Sequence, residues 1–469
     1  MKKILLLVLC LCLLCGCGAQ DDGSTRIQLG DTIKVDGQAI GEDAAAPVYL
    51  SHVVETHEDV PEDLQGLENR VINITAAGTY RLSGVGEDVH VAVKAGEDAT
   101  VRLILDGVDI SCRTNAAIAC YSAKDTRVEG EYNMIIELAD GSENYVVGSH
   151  NSSETEEFDG AVSSLVSMGF EGNGSLKILA DKEGVEVSGG HMTINGGNFY
   201  IEANDDPLNV SEDGVGVLTM NDGYVFSSVL PEEGGEGDGI DSNGWIVFNG
   251  GTAINLAHPT SMDGGIDSDM GSTINGGTIV GAGNMYDPIE PDSEQLFMML
   301  EFAAETDDLV VVTDEDGNAV FAYDFPYSYT YIAFSFPELA EGTYKVWLGG
   351  EIEGTQENGL YTEITSYVPG TAMQHGAGTV SGEMPMPSFE PSGEPTEEPV
   401  EGEEPAEGEE PAEEPAEGEE TPAFEPSGEM PMPSGEMPDR TLNSSADEAT
   451  VLFVLTKGTT AFTNISAVE

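Results

Sequence analysis

Basic residues are scarce in this chain, and their scarcity excludes several functions. The 469 residues include 16 Lys and Arg against 87 Asp and Glu, which gives a formal net charge of −71. Because so few cations cannot neutralise phosphates, the chain is not an unaided binder of nucleic acid or of anionic membranes. The same imbalance predicts divalent cations as partners.

Long apolar runs and helical patterns are also missing. No segment has a sustained 3.6-residue hydrophobic period, and the apolar run over residues 4–14 is too short to span a bilayer. A basic start before such a run is typical of a signal peptide, and Leu14-Cys15-Gly16-Cys17 resembles a bacterial lipobox. We therefore predict a lipoprotein signal over residues 1–17, a tether over 18–30, and a lipid on Cys17 that anchors the protein outside the cytoplasm, at the bacterial cell membrane or surface. An ordinary secretory signal is the alternative.

Cysteine is nearly absent after that segment. Only Cys112 and Cys120 remain, and both share the parity of apolar neighbours, so both are predicted to point inward. A disulfide and two buried thiols both fit this pattern. Metal ligation by two cysteines without nearby partners is not expected.

Glycine, in contrast, is abundant and recurs in a pattern. Asn-Gly or a variant of it occurs at residues 173, 195, 221, 249 and 275, in steps of 22, 26, 28 and 26 residues. A short apolar strand follows each marker, and a period of 20–50 residues is typical of solenoids, propellers and arrays. These units are too short for propeller blades and contain no helix. The repeat therefore predicts an all-β chain that folds as a parallel β-helix over residues 31–283.

The composition changes after residue 283. Alternating and aromatic strands predict a small antiparallel β module over residues 284–380 that caps the C-terminal end of the solenoid. Residues 381–440 are rich in Pro and Glu and repetitive, so a disordered insertion is predicted there. Residues 447–469 are strand-like again and are predicted to complete the C-terminal module.

Acidic residues form two columns when the repeats are aligned on the corner before each Asn-Gly marker. The first column contains Asp159, Glu183, Asp206 and Asp238, with Asp263 one place off; the second contains Glu186, Asn209, Asp241 and Asp267, and Val162 interrupts it. Stacked coils place such groups about 4.8 Å apart, where like charges repel by about 1 kcal/mol even in water. Two adjacent columns predict oxygen ligands for Ca²⁺. An acidic solvated face without an ordered ion is the alternative.

Two resemblances sharpen this prediction. Asp205-Asp206-Pro207-Leu208-Asn209 resembles the D-D-x-x-D calcium cluster of family 9 pectate lyases, with an amide as its last residue. The segments 74–84, 101–110 and 313–325, together with the D-G-x-x-S/I-N-G-G rhythm, resemble a bacterial carbohydrate-binding domain family over roughly residues 30–380 plus the last strand pair. The resemblance implies a right-handed parallel β-helix, bound calcium, and binding of cell-wall polysaccharide, including acidic sugars, without demonstrated cleavage.

Candidate catalysts are few. Elimination from a uronate needs a base, yet no arginine lies between Arg127 and Arg440, and only Lys177, Lys182 and Lys345 lie in that interval. Lys182 precedes Glu183, so we expect it in an exposed ion pair. Hydrolysis by paired carboxylates stays open because acidic pairs are abundant.

We therefore expect calcium-dependent, non-catalytic binding of an acidic or cell-wall polysaccharide. The alternatives are a polysaccharide lyase or glycosidase acting on uronate-containing glycan, and a surface adhesion or spacer protein without a ligand. Aromatic side chains on a flat face can stack on sugar rings, and Tyr224 and Trp245 are the main candidates; packing within the core is the other interpretation of each. The expected partners are polysaccharide and, through Cys17, a membrane, with no nucleic acid and a monomeric state.

Overall fold

The computed structural model describes residues 23–57, 60–153, 156–376 and 450–468. These residues are all-β, with no α-helix among them, as the sequence predicts. No helix in this part of the chain is long and apolar enough to cross a membrane. The predicted signal peptide with Cys17, residues 18–22 of the predicted tether, and the insertion over 381–440 lie outside the described residues. Residues 25–29, which the sequence predicts to be part of the tether, form instead a strand that pairs in parallel with residues 80–84.

The strands of the N-terminal half are short and numerous. In chain order they are β1 (Thr25–Leu29), β2 (Lys34–Val35), β3 (Gln38–Ala39), β4 (Val48–Val54), β5 (Glu68–Ile74), β6 (Gly78–Gly86), β7 (Val89–Lys94), β8 (Val101–Ser111), β9 (Ile118–Ser122), β10 (Met134–Leu138), β11 (Glu143–Gly148), β12 (Asn151–Ser153), β13 (Glu156–Phe158), β14 (Gly160–Ser164), β15 (Met168–Gly172), β16 (Ser175–Ala180) and β17 (Glu183–Val187).

The remaining strands vary in length from two residues to 16. They are β18 (Met192–Ala203), β19 (Leu208–Val210), β20 (Val217–Val229), β21 (Asp241–Ser242), β22 (Trp245–Phe248), β23 (Thr252–Leu256), β24 (Gly271–Ile274), β25 (Thr278–Gly283), β26 (Phe297–Thr306), β27 (Val310–Thr313), β28 (Ala319–Tyr323), β29 (Tyr329–Ser335), β30 (Gly342–Glu357), β31 (Leu360–Gln374), β32 (Phe453–Leu455) and β33 (Ala461–Ala467).

Three ladders of parallel strands organise the region up to β25. Ladder 1 contains β5, β7, β9, β14, β17, β19 and β21. Ladder 2 runs from the first half of β6 through β8, β10, β15, β18, β20, β22 and β24, and ladder 3 runs from the second half of β6 through β8, β11, β16, β18, β20, β23 and β25. The chain visits ladders 1, 2 and 3 in that order, and we call each such circuit a coil.

Alternation of side chains explains how each coil buries its core. In β11 and β16 every second residue is buried, among them Val146 and Ile178, while the residues between them face outward. The inward side chains of successive coils form one apolar cluster that extends along the ladders. A one-residue slip would turn these side chains outward, so burial fixes the register of every coil.

The predicted Asn-Gly corners join ladder 2 to ladder 3. Asn221 Nδ2 donates to Asn195 Oδ1 at 2.7 Å, Asn249 Nδ2 to Asn221 Oδ1 at 2.8 Å, and Asn275 Nδ2 to Asn249 Oδ1 at 2.9 Å. Gly223 has a φ of 100°, and a Cβ there would lie 2.7 Å from the carbonyl oxygen of the preceding coil. Each corner therefore requires both an amide that bonds to its neighbour and a residue without a side chain.

Antiparallel strands follow ladder 3. β29 pairs with β25 and β26, β27 pairs with β28 and β30, and β30 and β31 form a long hairpin. β32 pairs with β30, and β33 pairs with β26 and β31. A second apolar cluster, which includes Tyr323, Phe334 and Phe453, holds these strands together.

Cys112 and Cys120 are both free thiols in the buried core. Burial raises the pKa of each thiol to about 12, so neither is a reactive thiolate at neutral pH. Of the two arrangements that the sequence leaves open, the structure has the two buried thiols.

Candidate functional site

The acidic residues gather along ladder 1. The register of β17, β19 and β21 sets Glu186 opposite Asn209 and Asn209 opposite Asp241. Asp241 and Asp267 are neighbours as well, because Ser242 N donates to the carbonyl oxygen of Asp267. The second predicted column is thus a row of side chains on successive coils.

Asp238, Asp241 and Asp267 form the tightest group. One carboxylate oxygen from each lies within 4.8 Å of the others, and all three side chains are half-buried. Burial and neighbouring carboxylates raise the pKa of Asp238 to about 8, that of Asp241 to about 7 and that of Asp267 to about 8. We call these three residues the aspartate triad.

Hydrogen bonds between carboxylates and backbone amides fix the turns around Asp238. Asp206 Oδ1 accepts from the amide of Asp238 at 2.7 Å, and Asp238 Oδ1 accepts from the amide of Gly264 at 2.6 Å. Asp263 Oδ2 accepts from the amide of Gly237 at 2.7 Å. One oxygen of each of these carboxylates therefore fixes a turn, which leaves the other oxygen for a ligand.

A second acidic group lies one and two coils earlier. Asn209 Nδ2 donates to Glu183 Oε1 at 3.0 Å, while Glu183 Oε2 and Asn209 Oδ1 are buried without a hydrogen-bond partner. Glu183 and Asn209 are only 6% and 7% exposed, and burial followed by the charge of Glu186 raises the pKa of Glu183 well above its usual range. Buried oxygens without partners are costly unless a cation or a proton satisfies them.

Asp159 does not stand in the row that the sequence alignment gives it. Gly160, not Asp159, lies opposite Glu183, and Ser163, not Val162, lies opposite Glu186. The reason is that Val162 packs inward against Val185, and a slip of one residue would expose it. Val162 therefore interrupts no column.

Asp159 instead pairs with a lysine beside the first column. Its Oδ2 lies 2.6 Å from Lys182 Nζ, and its Oδ1 is buried without a hydrogen-bond partner. Burial opposes the charge on Lys182, but the hydrogen bond and charge of Asp159, with Glu183 and Asp205 nearby, raise the pKa of the lysine overall. The ion pair predicted for Lys182 exists, but it is partly buried rather than exposed, and its partner is Asp159 rather than the neighbouring Glu183.

Asp205 is half-buried next to this pair. Burial raises its pKa, the charge of Lys182 opposes the rise, and the charge of Glu236 adds to it. Asp206 is 8% exposed, and burial together with Asp205 and Asp241 raises its pKa well above the usual range. The adjacent carboxylates thus differ in role, since Asp206 belongs to the first predicted column and accepts from the amide of Asp238, whereas Asp205 lies beside that column.

Sequence reasoning missed one member of this site, Asp287. Its Oδ2 accepts from the amide of Ser268 at 3.1 Å, and its carboxyl group is hydrogen-bonded to Asp267. Asp287-Pro288 repeats the Asp206-Pro207 dipeptide, which is the signal that could have identified it.

The donor set of the triad fits a hard divalent cation. Ca²⁺ is bound by oxygens at 2.3–2.6 Å, so ligand atoms on opposite sides of one ion are about 5 Å apart. The 4.8 Å spread of the three carboxylate oxygens is within that limit, and the group contains no nitrogen or sulfur donor. Asp287 and Asp206 adjoin the triad, because Asp287 is hydrogen-bonded to Asp267 and Asp206 accepts from the amide of Asp238.

Neither predicted sugar-binding aromatic lies in ladder 1. Tyr224 is on ladder 3, half-buried, and its hydroxyl accepts a hydrogen bond of 2.7 Å from Asn358 Nδ2 at the tip of the β30–β31 hairpin. Trp245 is on ladder 2, opposite Val217 and Gly271, and is partly exposed. The structure thus separates both aromatics from the acidic rows.

Residues 68–292 match a protein-family model described as "Carbohydrate-binding domain-containing protein". A protein of that description from Acetivibrio thermocellus is 26% identical over 148 residues, which are 30% of this chain and 49% of the relative. The chain thus spans about half the length of the curated relative that it matches. A solved structure described as the polysaccharide lyase-like protein from C. thermocellum, a gadolinium derivative, covers 55% of this chain and 93% of its own, with a TM-score of 0.37 and 21% identity.

Proposed function

We propose that this chain binds polysaccharide without cleaving it, and that calcium on ladder 1 supports the binding. The observation that carries the metal part is the aspartate triad, whose three carboxylate oxygens lie within 4.8 Å of one another. The unpartnered buried oxygens of Glu183 and Asn209 on the preceding coils add to it. The carbohydrate part rests on the family model that matches residues 68–292 and on the relative of the same description from Acetivibrio thermocellus.

We also propose that the coils form a right-handed parallel β-helix. Connections between parallel strands of one sheet are right-handed in nearly all known folds. The order of ladders 1, 2 and 3, repeated with each coil, gives the helical path, and the general preference supplies its right hand. The ligand would then meet flat, repetitive faces rather than a deep cavity.

The proposed location is the outer side of a bacterial cell membrane. Cys17 in its lipobox-like context would carry the lipid, and a net charge of −71 suits a protein that meets divalent cations outside the cytoplasm. Metabolic labelling with a fatty-acid probe tests this, because Cys17→Ala should abolish the label while an ordinary secreted protein would carry none.

Two measurements test the proposed function. Calorimetry of the purified protein with calcium, against a magnesium control, should detect a binding isotherm that Asp241→Asn removes. Titration with galacturonate oligomers in calcium and then in chelator should give binding only in calcium, since the ion would bridge protein and sugar carboxylates. Binding of no glycan under either condition would contradict the carbohydrate proposal, and an unaltered isotherm in the variant would contradict the metal assignment.

Elimination from a uronate is the second candidate function, because Lys182 lies beside the first acidic column. Its raised pKa keeps it protonated at neutral pH, which disfavours a base role. An ultraviolet assay for unsaturated products at neutral and alkaline pH decides between the two. Product that Lys182→Met abolishes would favour the lyase.

A further inference from the structure

Ladder 3 carries a groove that neither acidic row enters. The residues that face outward on β11, β16, β18 and β20 stand in register as Tyr145, Lys177, Tyr200 and Phe226. With Leu179 and the hairpin residue Asn358 they line a groove of about 710 Å³. That volume is within the range of ligand sites.

The floor of the groove is amphipathic. Lys177 Nζ lies 5.4 Å from the centre of the Tyr145 ring and 5.9 Å from that of Tyr200. Leu179 beside them is 45% exposed and adds apolar surface to the groove. The Tyr145 and Tyr200 rings are two strand spacings, or about 10 Å, apart. They offer apolar faces, and Lys177 between them offers a hydrogen-bond donor.

The β30–β31 hairpin closes one end of this floor. Asn358 at its tip donates to the Tyr224 hydroxyl, and the Tyr200 hydroxyl donates to Glu357 Oε1 at 3.4 Å. Tyr224 is therefore covered, whereas Tyr145 at the opposite end of the groove is 39% exposed. A chain-like ligand could lie along the open part from Tyr145 to Tyr200.

Charge decides the class of ligand. Glu143 and Glu202 line the same groove as Lys177, and Glu357 adjoins it, so carboxylates outnumber the single ammonium. A polyanion would meet these charges and the net charge of −71 without compensation. An uncharged sugar chain instead presents C–H faces to tyrosines and hydroxyls to Lys177, Glu202 and Asn358.

We propose that this groove, the ladder 3 groove, binds an uncharged oligosaccharide independently of calcium. The choice of a glycan rests on the proposed function; the place, the neutral charge and the independence from the acidic rows go beyond it. Tyr145 and Tyr200 would stack on sugar rings, and Lys177 would donate to a hydroxyl between them.

The test is calorimetric titration of the full-length protein with cello- and xylo-oligosaccharides, in calcium and in chelator, at a temperature well below the melting point. We expect binding that differs little between the two conditions and between low and high salt. Tyr145→Ala/Tyr200→Ala should weaken it about tenfold or more, while Tyr145→Phe/Tyr200→Phe should retain it, which separates lost stacking from misfolding. Lys345→Met serves as the matched lysine control for Lys177→Met, and Trp245→Ala tests the rival aromatic.

The outcomes separate the two proposals. The groove assignment is overturned if Tyr145→Ala/Tyr200→Ala leaves the affinity for the uncharged oligosaccharide unchanged, or if only Trp245→Ala weakens it. If no uncharged oligosaccharide binds while galacturonate oligomers still bind in calcium, the ladder 3 groove proposal is overturned and the proposed function stands. No binding of either glycan overturns both.

Discussion

Replacing the Asp241 and Asp267 carboxylates together by amides should change stability in opposite directions with and without calcium. Without metal, two ionised carboxylates within 4.8 Å repel each other. For a half-buried pair that repulsion is about 1–3 kcal/mol. In chelator at about pH 8.5, above pKa values of about 7 and 8, Asp241→Asn/Asp267→Asn should therefore be more stable than the wild type.

The size of the shift follows from the size of the folded unit. Unfolding entropy of roughly 2.1 cal/mol/K per residue over the roughly 370 described residues makes 1 kcal/mol equivalent to about 1.3 °C. The variant should thus melt about 1–4 °C higher in chelator. Free calcium at about 100 times its Kd stabilises the wild type by about 2.7 kcal/mol, or about 3–4 °C, whereas the variant should respond by less than about 1 °C.

Differential scanning calorimetry of paired samples measures both effects. Glu97→Gln/Asp98→Asn, an exposed acidic pair with the same change in charge, controls for net charge and should shift neither temperature. A variant that melts lower than the wild type in chelator, yet still gains stability from calcium, would refute the reasoning. The aspartates would then be structural hydrogen-bond acceptors, and the ion would bind elsewhere.

Other expectations concern pH and the corners. Without metal, the free energy of unfolding should fall as pH rises from about 5 to above 8. The reason is that the pKa values of Asp238 and Asp267 are about 8 in the folded state and near 4 in the unfolded state, so the folded state holds more protons in this range. Urea melts in chelator check this, and saturating calcium should flatten the pH profile. Gly223→Ala should lower stability by about 1–3 kcal/mol, because its Cβ would lie 2.7 Å from a carbonyl oxygen at a positive φ, whereas Gly96→Ala, with open space around it, should not. Asn249→Ala breaks two links of the amide row and should cost about 1–2 kcal/mol by the same melts.

Some of the fold could be predicted from the sequence because each coil repeats the same local requirement. The Asn-Gly corners need an amide and a residue free to adopt positive φ, and both leave a visible mark at a regular spacing. The acidic row Glu186, Asn209 and Asp241 was predictable for the same reason, since strands in register bring equal positions together. Asp159 was misaligned because the decisive residue is Val162, whose burial is a property of the assembled core.

The ladder 3 groove could not be predicted in the same way. The contact between Asn358 and Tyr224 joins residues 134 positions apart, and no repeat links them. The alternation of buried and exposed residues in β11 and β16 does place Tyr145 and Lys177 on one outward face, so this half of the groove could be predicted from the sequence. The hairpin that closes it depends on how the antiparallel strands fold back, which local pattern does not determine.

Stacking of successive coils has different electrostatic consequences on ladder 1 and on ladder 3. On ladder 1, equal positions repeat an acid at about 4.8 Å, so each added coil adds repulsion that only a cation or a proton removes. On ladder 3, Lys177 stands between two uncharged tyrosines, so that row is stable without an ion. Chelation should consequently lower the melting temperature yet leave the affinity of the ladder 3 groove for a neutral sugar unchanged. Because coupling between two sites is reciprocal, that sugar should then leave the affinity for calcium unchanged as well, and a shift in either titration would show that one conformational change links the two faces.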